Sequence, residues 1–430
     1  MAIVVAAGAL AAVGAACGGD AGGAQSREVL VDYVHDEFAA SYLAYFPRDV
    51  TLRPGDTVNF RQEWTGEPHS VTMGTMVDEM MGVISPLIEK YGHLPDDEIP
   101  PEVFEEFMAA SAALPYMLPD TLEGGPVNQN VGQPCYLDEG APPEDPMEPC
   151  TDEQQEQPAF DGRQSYYNSG FIPYAGERGN TFDVVLANDI EPGTYAYYCN
   201  VHGPFQAGTI TVVGADEEIP SEADVARQAL AEIEEVTAPL AAALEEARAS
   251  DAATIFGQEV RKPYAGWGSD EPTTTHAVID EFIPKENTVT VGESITWSFV
   301  GGHTVSFNVP DYFTQLSIED DGTVIFSPDA LQPRGGPGHP AAEGPPPGEG
   351  EAEGEGAPGG EGEGEGGGPP GGPPPEPVAV DAGTWDGRSF LSSGMFFDGT
   401  YSVTFTEPGR YSYACLVHPA MVGSVVVEEA

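Results

Sequence analysis

Cys415, His418 and Met421 stand three residues apart in the stretch Glu407-Pro408-Gly409-Arg410-Tyr411-Ser412-Tyr413-Ala414-Cys415-Leu416-Val417-His418-Pro419-Ala420-Met421-Val422-Gly423. A thiolate, an imidazole and a thioether held this close suit copper, cycling between its two oxidation states, above other metals. An almost identical stretch stands earlier: Glu191-Pro192-Gly193-Thr194-Tyr195-Ala196-Tyr197-Tyr198-Cys199-Asn200-Val201-His202. Eight of these twelve positions agree with the later copy. Such an internal repeat implies two related units.

Both stretches read as the end of one β-strand, a tight loop and the start of another. The strands needed to hold them are present twice. In the first copy Val29 to Val34 opens. Asp49 to Phe60 then places Pro54-Gly55 between two alternating runs, and Trp64 leads to Pro68-His69-Ser70-Val71-Thr72. In the second copy Thr288 to Trp297 matches Val50 to Phe60, and Gly301-Gly302-His303-Thr304-Val305-Ser306 echoes Pro68 to Thr72. Phe160 to Gly170 is likewise echoed by Trp385 to Gly394.

Each copy is interrupted at the same point. In the first, Met76 to Tyr91 and Pro101 to Met117 carry apolar residues at helical spacing, with Met, Phe and Leu on one face. The Met-rich stripe reads as a packing face, with a copper-gathering surface as the sharper alternative. Cys135 and Cys150 follow and, in an exported chain, are expected to form a disulfide worth roughly 3 kcal/mol. An extra metal site is the alternative, but no His lies between them. In the second copy residues 335 to 378 are almost wholly Gly, Pro, Glu and Ala, a composition expected to be disordered.

Between the copies Ser221 to Ser250 reads as a helix, with Ser221 and Asp224 as an acidic capping box and Pro239 as a kink. At about 1.5 Å per residue it spans roughly 40 Å, as a spacer or folded back on one unit, with a partner-binding or dimerising helix as the sharper alternative. The domain plan is a signal over 1–17, a tether over 18–27, a first β unit over 28–214 with an insert at about 75–159, a helical linker over 215–265, and a second β unit over 266–430.

The chain of 430 residues carries 71 acidic against 15 basic residues. Such a surface repels nucleic acid and anionic lipid head groups, and attracts cations or a basic partner. Adaptation to salt, or solubility alone, is the blander account. The apolar run Met1 to Ala16 has the length of a signal h-region and is short for a membrane span. Small residues before Cys17 and a Gly-rich polar tether after it resemble a bacterial lipoprotein signal. That resemblance implies acylation at Cys17 and anchoring to the outer face of the cell membrane. The match departs in having no Lys or Arg before the run and Gly14 three positions before Cys17. A plain secretory signal is the alternative, and either kind exports the chain into a compartment where disulfides persist.

A site that moves one electron quickly should change shape little between Cu(I) and Cu(II). Two imidazoles and a thiolate with a weak axial ligand meet that demand. In the second unit His303, from an early strand or its following loop, joins Cys415, His418 and Met421. The pattern Cys-x-x-His-x-x-Met-x-Gly after a Tyr-x-Tyr-x strand, with His-Thr-Val upstream, resembles the blue copper cupredoxins. The short loop is amicyanin-like, and plastocyanins are close relatives. The resemblance covers both β units but not the signal, inserts or helix. It implies mainly β architecture: two Greek-key β-sandwich domains.

The first unit matches at His69, Cys199 and His202, but its loop continues Gly203-Pro204-Phe205-Gln206-Ala207-Gly208. Gln206 stands where the second unit has Met421. In this family Gln replaces Met axially in the stellacyanin-like branch. An amide oxygen is a harder donor, favours Cu(II) and should lower the potential. The alternative is that Gln206 points away, leaving three ligands or no metal. The implied protein holds two copper ions and passes electrons among redox partners. A copper store or delivery module is the competing class. A third possibility leaves the first unit structural, with chemistry only in the second.

Copper oxidases and nitrite reductases share the sandwich, but a His precedes their type 1 Cys. Here those positions are Tyr198 and Ala414, and no His-x-His pair occurs in the chain. Catalysis is therefore not expected. His35, His93 and His276 are isolated, and His339 lies in the Gly/Pro/Glu insert.

Overall fold

The computed structural model describes residues 23–92, 98–115, 124–172, 180–255, 258–268, 277–310, 315–335 and 378–430. Cys17 and the signal run, His93, His276, His339 and residues 336–377 lie outside these. Among the described residues no helix is long and apolar enough to cross a membrane.

The fold is mainly β. Alternation of apolar and polar residues drives it. Thr57–Gln62 and Thr400–Phe405 each bury every second side chain, so one face of each strand must cover a core. In the N-terminal half, one sheet runs Thr181–Val185, Thr57–Gln62, Ser26–Val31, Tyr45–Phe46. The facing sheet runs Asp49–Leu52, Gly203–Val212, Gly193–Cys199, Thr72–Met73, Tyr166–Ser169, Pro134–Leu137. Val29, Phe60, Tyr197 and Ile210 fill the space between.

The C-terminal half repeats the pairing scheme. Tyr264–Trp267 runs parallel to Ser294–Phe299, as Ser26–Val31 does to Thr57–Gln62. Glu286–Thr290 runs parallel to Val422–Glu428, as Asp49–Leu52 does to Gly203–Val212. Its core holds Trp297, Phe307, Tyr413 and Val425. The indole N–H of Trp297 donates to the Tyr413 hydroxyl at 3.2 Å, which gives a buried polar edge a partner.

The helix Thr75–Tyr91 lays Val77, Met80, Met81 and Ile84 on the N-terminal sandwich. Those methionines pack beside the Cys135–Cys150 disulfide, Tyr166 and Tyr198. The neighbouring helix is shorter than the sequence pattern suggests, Pro101–Ser111, and buries only Val103.

The boundaries differ from the sequence plan. Ser26 and Arg27, assigned to the tether, are in a strand, and the second set of sheets starts at Tyr264. The expected helical linker also contains the hairpin Ala252–Ile255 and Gln258–Arg261. The insert at 75–159 includes the strand Pro134–Leu137. Ala40–Tyr42, from the first half, pairs antiparallel with Ala277–Ile283 and extends the sheet of the second. Gly125–Pro126 likewise pairs with Val324–Phe326.

The helix Glu222–Ala249 is not a free spacer. Ser221 and Asp224 form the expected capping box, and Pro239 lies inside the helix. One face buries Ala229, Ile233, Val236, Leu240, Leu244 and Ala247 against Tyr42 and Phe46 of the first half and Tyr264, Trp267, Ile279 and Ile283 of the second. A stripe this wide is more stable covered than solvated, so the helix lies on the junction. Leu244→Ala is expected to destabilise the protein by about 2–5 kcal/mol, read as a lower urea midpoint. An exposed-face control, Leu230→Ala (Leu230 is 62% exposed), should change it little.

Candidate metal centres

Each pocket is assembled at one end of a sandwich. Cys199 ends the strand Gly193–Cys199, and the ladder slips between Tyr198 and Cys199 as the chain turns. Cys415 follows the strand Gly409–Ala414. Its N–H donates to the Met421 carbonyl at 3.0 Å, and the Met421 N–H donates to the His418 carbonyl at 2.9 Å, closing a tight loop. The distant histidines arrive from loops, His303 from the one that follows the strand Ser294–Phe299, the second of its two expected placements. His303 makes only an isolated bridge with Phe396, and His69 lies before the short strand Thr72–Met73.

In the first pocket the ligand atoms of His69, Cys199 and His202 lie within 4.8 Å of one another. Cys199 Sγ is 3.7 Å from His202 Nδ1. The Gln206 side-chain oxygen is 3.0 Å from His69 Nδ1 and 2.9 Å from His202 Nδ1, so it faces the pocket. The Ser70 N–H donates to Cys199 Sγ at 3.4 Å. His69, Cys199 and Gln206 are fully buried.

In the second pocket His303, Cys415 and His418 converge in the same way. His303 Nδ1 and His418 Nδ1 are 3.1 Å apart, and Cys415 Sγ is 3.6 Å from His418 Nδ1. Cys415 Sγ accepts N–H bonds from Thr304 and Val417, each at 3.4 Å. Met421 is fully buried in the cluster that includes Cys415. A Cβ at Gly266, which has φ +80°, would come within 2.1 Å of His303 Nε2, so only glycine leaves room for the ring.

The electrostatics favour thiolates. Burial pushes both thiols up, but hydrogen bonds and charge from His202 and His69, and from His303 and His418, hold them well below the usual thiol range. Burial pulls His202 down, yet Cys199 and Glu67 raise it to about 10. His69 is raised to about 9, where Asp32 and Cys199 outweigh burial. His418 lies well above its ordinary value, because Asp280, Cys415 and Glu67 overcome burial. Two imidazole nitrogens and one sulfur, preformed and largely buried, with Gln206 in one pocket and Met421 beside the other, fit copper by donor chemistry.

The outer ring of carboxylates escaped the sequence reading. His69 Nε2 meets Asp32 Oδ2 at 3.1 Å. Asp280 lies 4.0 Å from His303 Nε2 and 3.8 Å from His418 Nε2, and accepts from the Ser41 hydroxyl at 2.6 Å. Burial raises Asp280 despite the nearby histidines. Glu67 reaches His202 Nε2 at 3.4 Å and His418 Nε2 at 2.9 Å. Their common feature is spatial, and no spacing in the chain signals it. Ser70 and Thr304, each directly after its histidine, supply the backbone N–H bonds to the two sulfurs. His35 belongs to neither pocket; its ring packs 4.1 Å from Phe38.

No protein-family model matches the chain. It is similar to amicyanin of Paracoccus versutus, 41% identical over 54 residues, which are 13% of this chain and 41% of that protein. The chain thus spans about two fifths of the length of that curated relative. Solved structures that resemble parts of it include a mutant amicyanin in the reduced state, 19% identical over 34% of this chain and 73% of the other, TM-score 0.14. Dithionite-reduced auracyanin from Roseiflexus castenholzii is 15% identical, covering 44% and 99%, TM-score 0.19. A copper-containing nitrite reductase from Thermus scotoductus SA-01 is 10% identical, covering 95% and 68%, TM-score 0.19.

The metal-free protein should lose stability as pH rises. His69 is raised from 6.5 to about 9, so its contribution is complete below about pH 6.5 and disappears as pH rises through about 9. In that window the depressed Cys199 and raised His202 offset each other in protons bound. Urea unfolding at a series of pH values should show the decline, and Asp32→Asn should flatten it.

Proposed function

We propose that this protein is an extracytoplasmic electron carrier built from two tandem cupredoxin-type domains, each holding one copper ion. The observation that carries this reading is the convergence, twice, of one buried cysteine sulfur and two imidazole Nδ1 atoms, with an amide N–H aimed at each sulfur. His69, Cys199, His202 and Gln206 hold the first ion, and His303, Cys415, His418 and Met421 the second. Copper supplies a one-electron couple in such a site.

The chain's own groups do the rest. The amide N–H bonds stabilise the sulfur as thiolate. The rigid loop and buried imidazoles keep the donors in place, so little rearrangement accompanies a change of charge. Gln206 presents an oxygen where the second pocket has Met421, which sets the first site at a lower potential. The acidic surface recruits a basic redox partner, and acylated Cys17 tethers the chain to the membrane face. The similarity to amicyanin supports the copper reading, while Tyr198 and Ala414, in place of a second-centre His, argue against catalysis.

Metal analysis of the soluble part should give two coppers per chain and an intense thiolate-to-Cu(II) band in the visible. Cys199→Ser and Cys415→Ser should each remove one copper. The protein retaining only the Gln206 site should show the lower potential. Equal potentials would overturn the asymmetry. Weakly coloured, readily exchanged copper would favour storage or delivery instead.

A further inference from the structure

Glu67 stands two residues before His69, in the loop between the strands Thr57–Gln62 and Thr72–Met73, and is a ligand candidate in neither pocket. Its Oε1 lies 2.9 Å from His418 Nε2 and its Oε2 lies 3.4 Å from His202 Nε2. The two pockets are therefore one carboxylate apart. The side chain is 22% exposed.

The backbone around it is built to put it there. Gly66 has φ +122°, and a Cβ on it would fall 2.1 Å from the Val417 carbonyl oxygen and 2.9 Å from His418 Cα. The Gly66 backbone thus presses directly on the loop that carries His418, which a side chain would prevent. Gln315, from the C-terminal half, donates to the Gly66 carbonyl at 2.8 Å. Gln62 donates to the Glu67 carbonyl at 2.8 Å.

A carboxylate only accepts, so both facing Nε2 atoms must carry hydrogen, and the proton that a metal displaces from each imidazolium is the one on Nδ1, whose lone pair then faces its pocket. Resting on the copper reading above, we propose that Glu67 is a positioning residue shared by both pockets, and that through it filling one pocket weakens the other. A cation at Nδ1 of one imidazole draws electron density from the ring and strengthens that ring's Nε2–H bond to Glu67. The carboxylate then gives less to the other imidazole, whose Nδ1 becomes a poorer donor. The effect is reciprocal, since it is a coupling free energy between two sites.

The test is Cu(II) titration of the full chain against a competing chelator, followed by visible absorption. Cys199→Ser and Cys415→Ser report each pocket with its neighbour empty, and the intact chain reports the second ion with its neighbour filled. We expect the filled neighbour to weaken binding about 5-fold or more. Glu67→Ala should remove that ratio and lower affinity in both pockets by about 10-fold or more. Glu67→Gln keeps the volume, with one accepting and one donating end, and guards against a folding defect. Its donating end would force the wrong tautomer on one histidine, so one pocket should weaken far more than the other. A ratio near one in the intact chain, or a ratio unchanged in Glu67→Ala, would overturn the proposal. So would equal pockets in Glu67→Gln. Copper bound without these effects sinks the coupling alone, whereas no copper in either pocket sinks the electron-carrier reading with it.

Discussion

The structure turns on a contact between two backbones. Gly66 lies against Val417 and His418 with no side chain between them. The link between the two pockets depends on that closeness. It brings Glu67 between two imidazoles that belong to different sheets. A buried carboxylate is costly unless paired, and a buried imidazolium equally so. Placed together they satisfy each other, with Glu67 held well below the usual carboxylate range by His202 and His418 although it is partly withdrawn from water.

The remaining junction supports this contact over a larger area. Ala40–Tyr42 is donated to the opposite sheet, and Ser41 on it reaches Asp280 behind the second pocket. Tyr42 faces the long helix, its hydroxyl 2.9 Å from that of Thr237. The same strand borders Asp32, whose Oδ1 accepts the Tyr42 N–H at 2.7 Å while its Oδ2 meets His69. Three residues around one short strand thus tie the outer groups of both pockets to the apolar seam under Glu222–Ala249. Changes in that seam should be felt at the histidines, because close-packed interiors transmit small displacements.

The two pockets are alike where the chemistry is demanding and differ where it is tunable. Both sulfurs accept amide N–H bonds, and both facing imidazoles reach outward to carboxylates. They differ at Gln206 against Met421, and in the outer partner of the upstream histidine. His69 has Asp32 at hydrogen-bond distance, while the Nε2 of His303 has no hydrogen-bond partner among the described residues and Asp280 stands back at 4.0 Å. Asp32 fixes the orientation of the His69 ring, and an amide oxygen beside it is a harder donor than a thioether.

Much was legible from residue order alone. The Cys-x-x-His loops, the alternating strands and the capping box at Ser221 are local. Their signals come from spacing along the chain, which the backbone converts directly into a turn, a sheet face or a helix start. The candidate donors could be named for the same reason, since loop length places Cys415, His418 and Met421 within one turn. What only the tertiary structure decided is how the halves meet. Asp32, Glu67 and Asp280 are ordinary acids in a chain with 71 of them. Nothing in their order marks out three that are drawn inward to face imidazoles. Ala40–Tyr42 likewise reads as part of the first unit until hydrogen bonding to Ala277–Ile283 claims it for the second. Partners far apart in sequence leave no periodicity, so their identity is settled only when burial forces each polar group to find one.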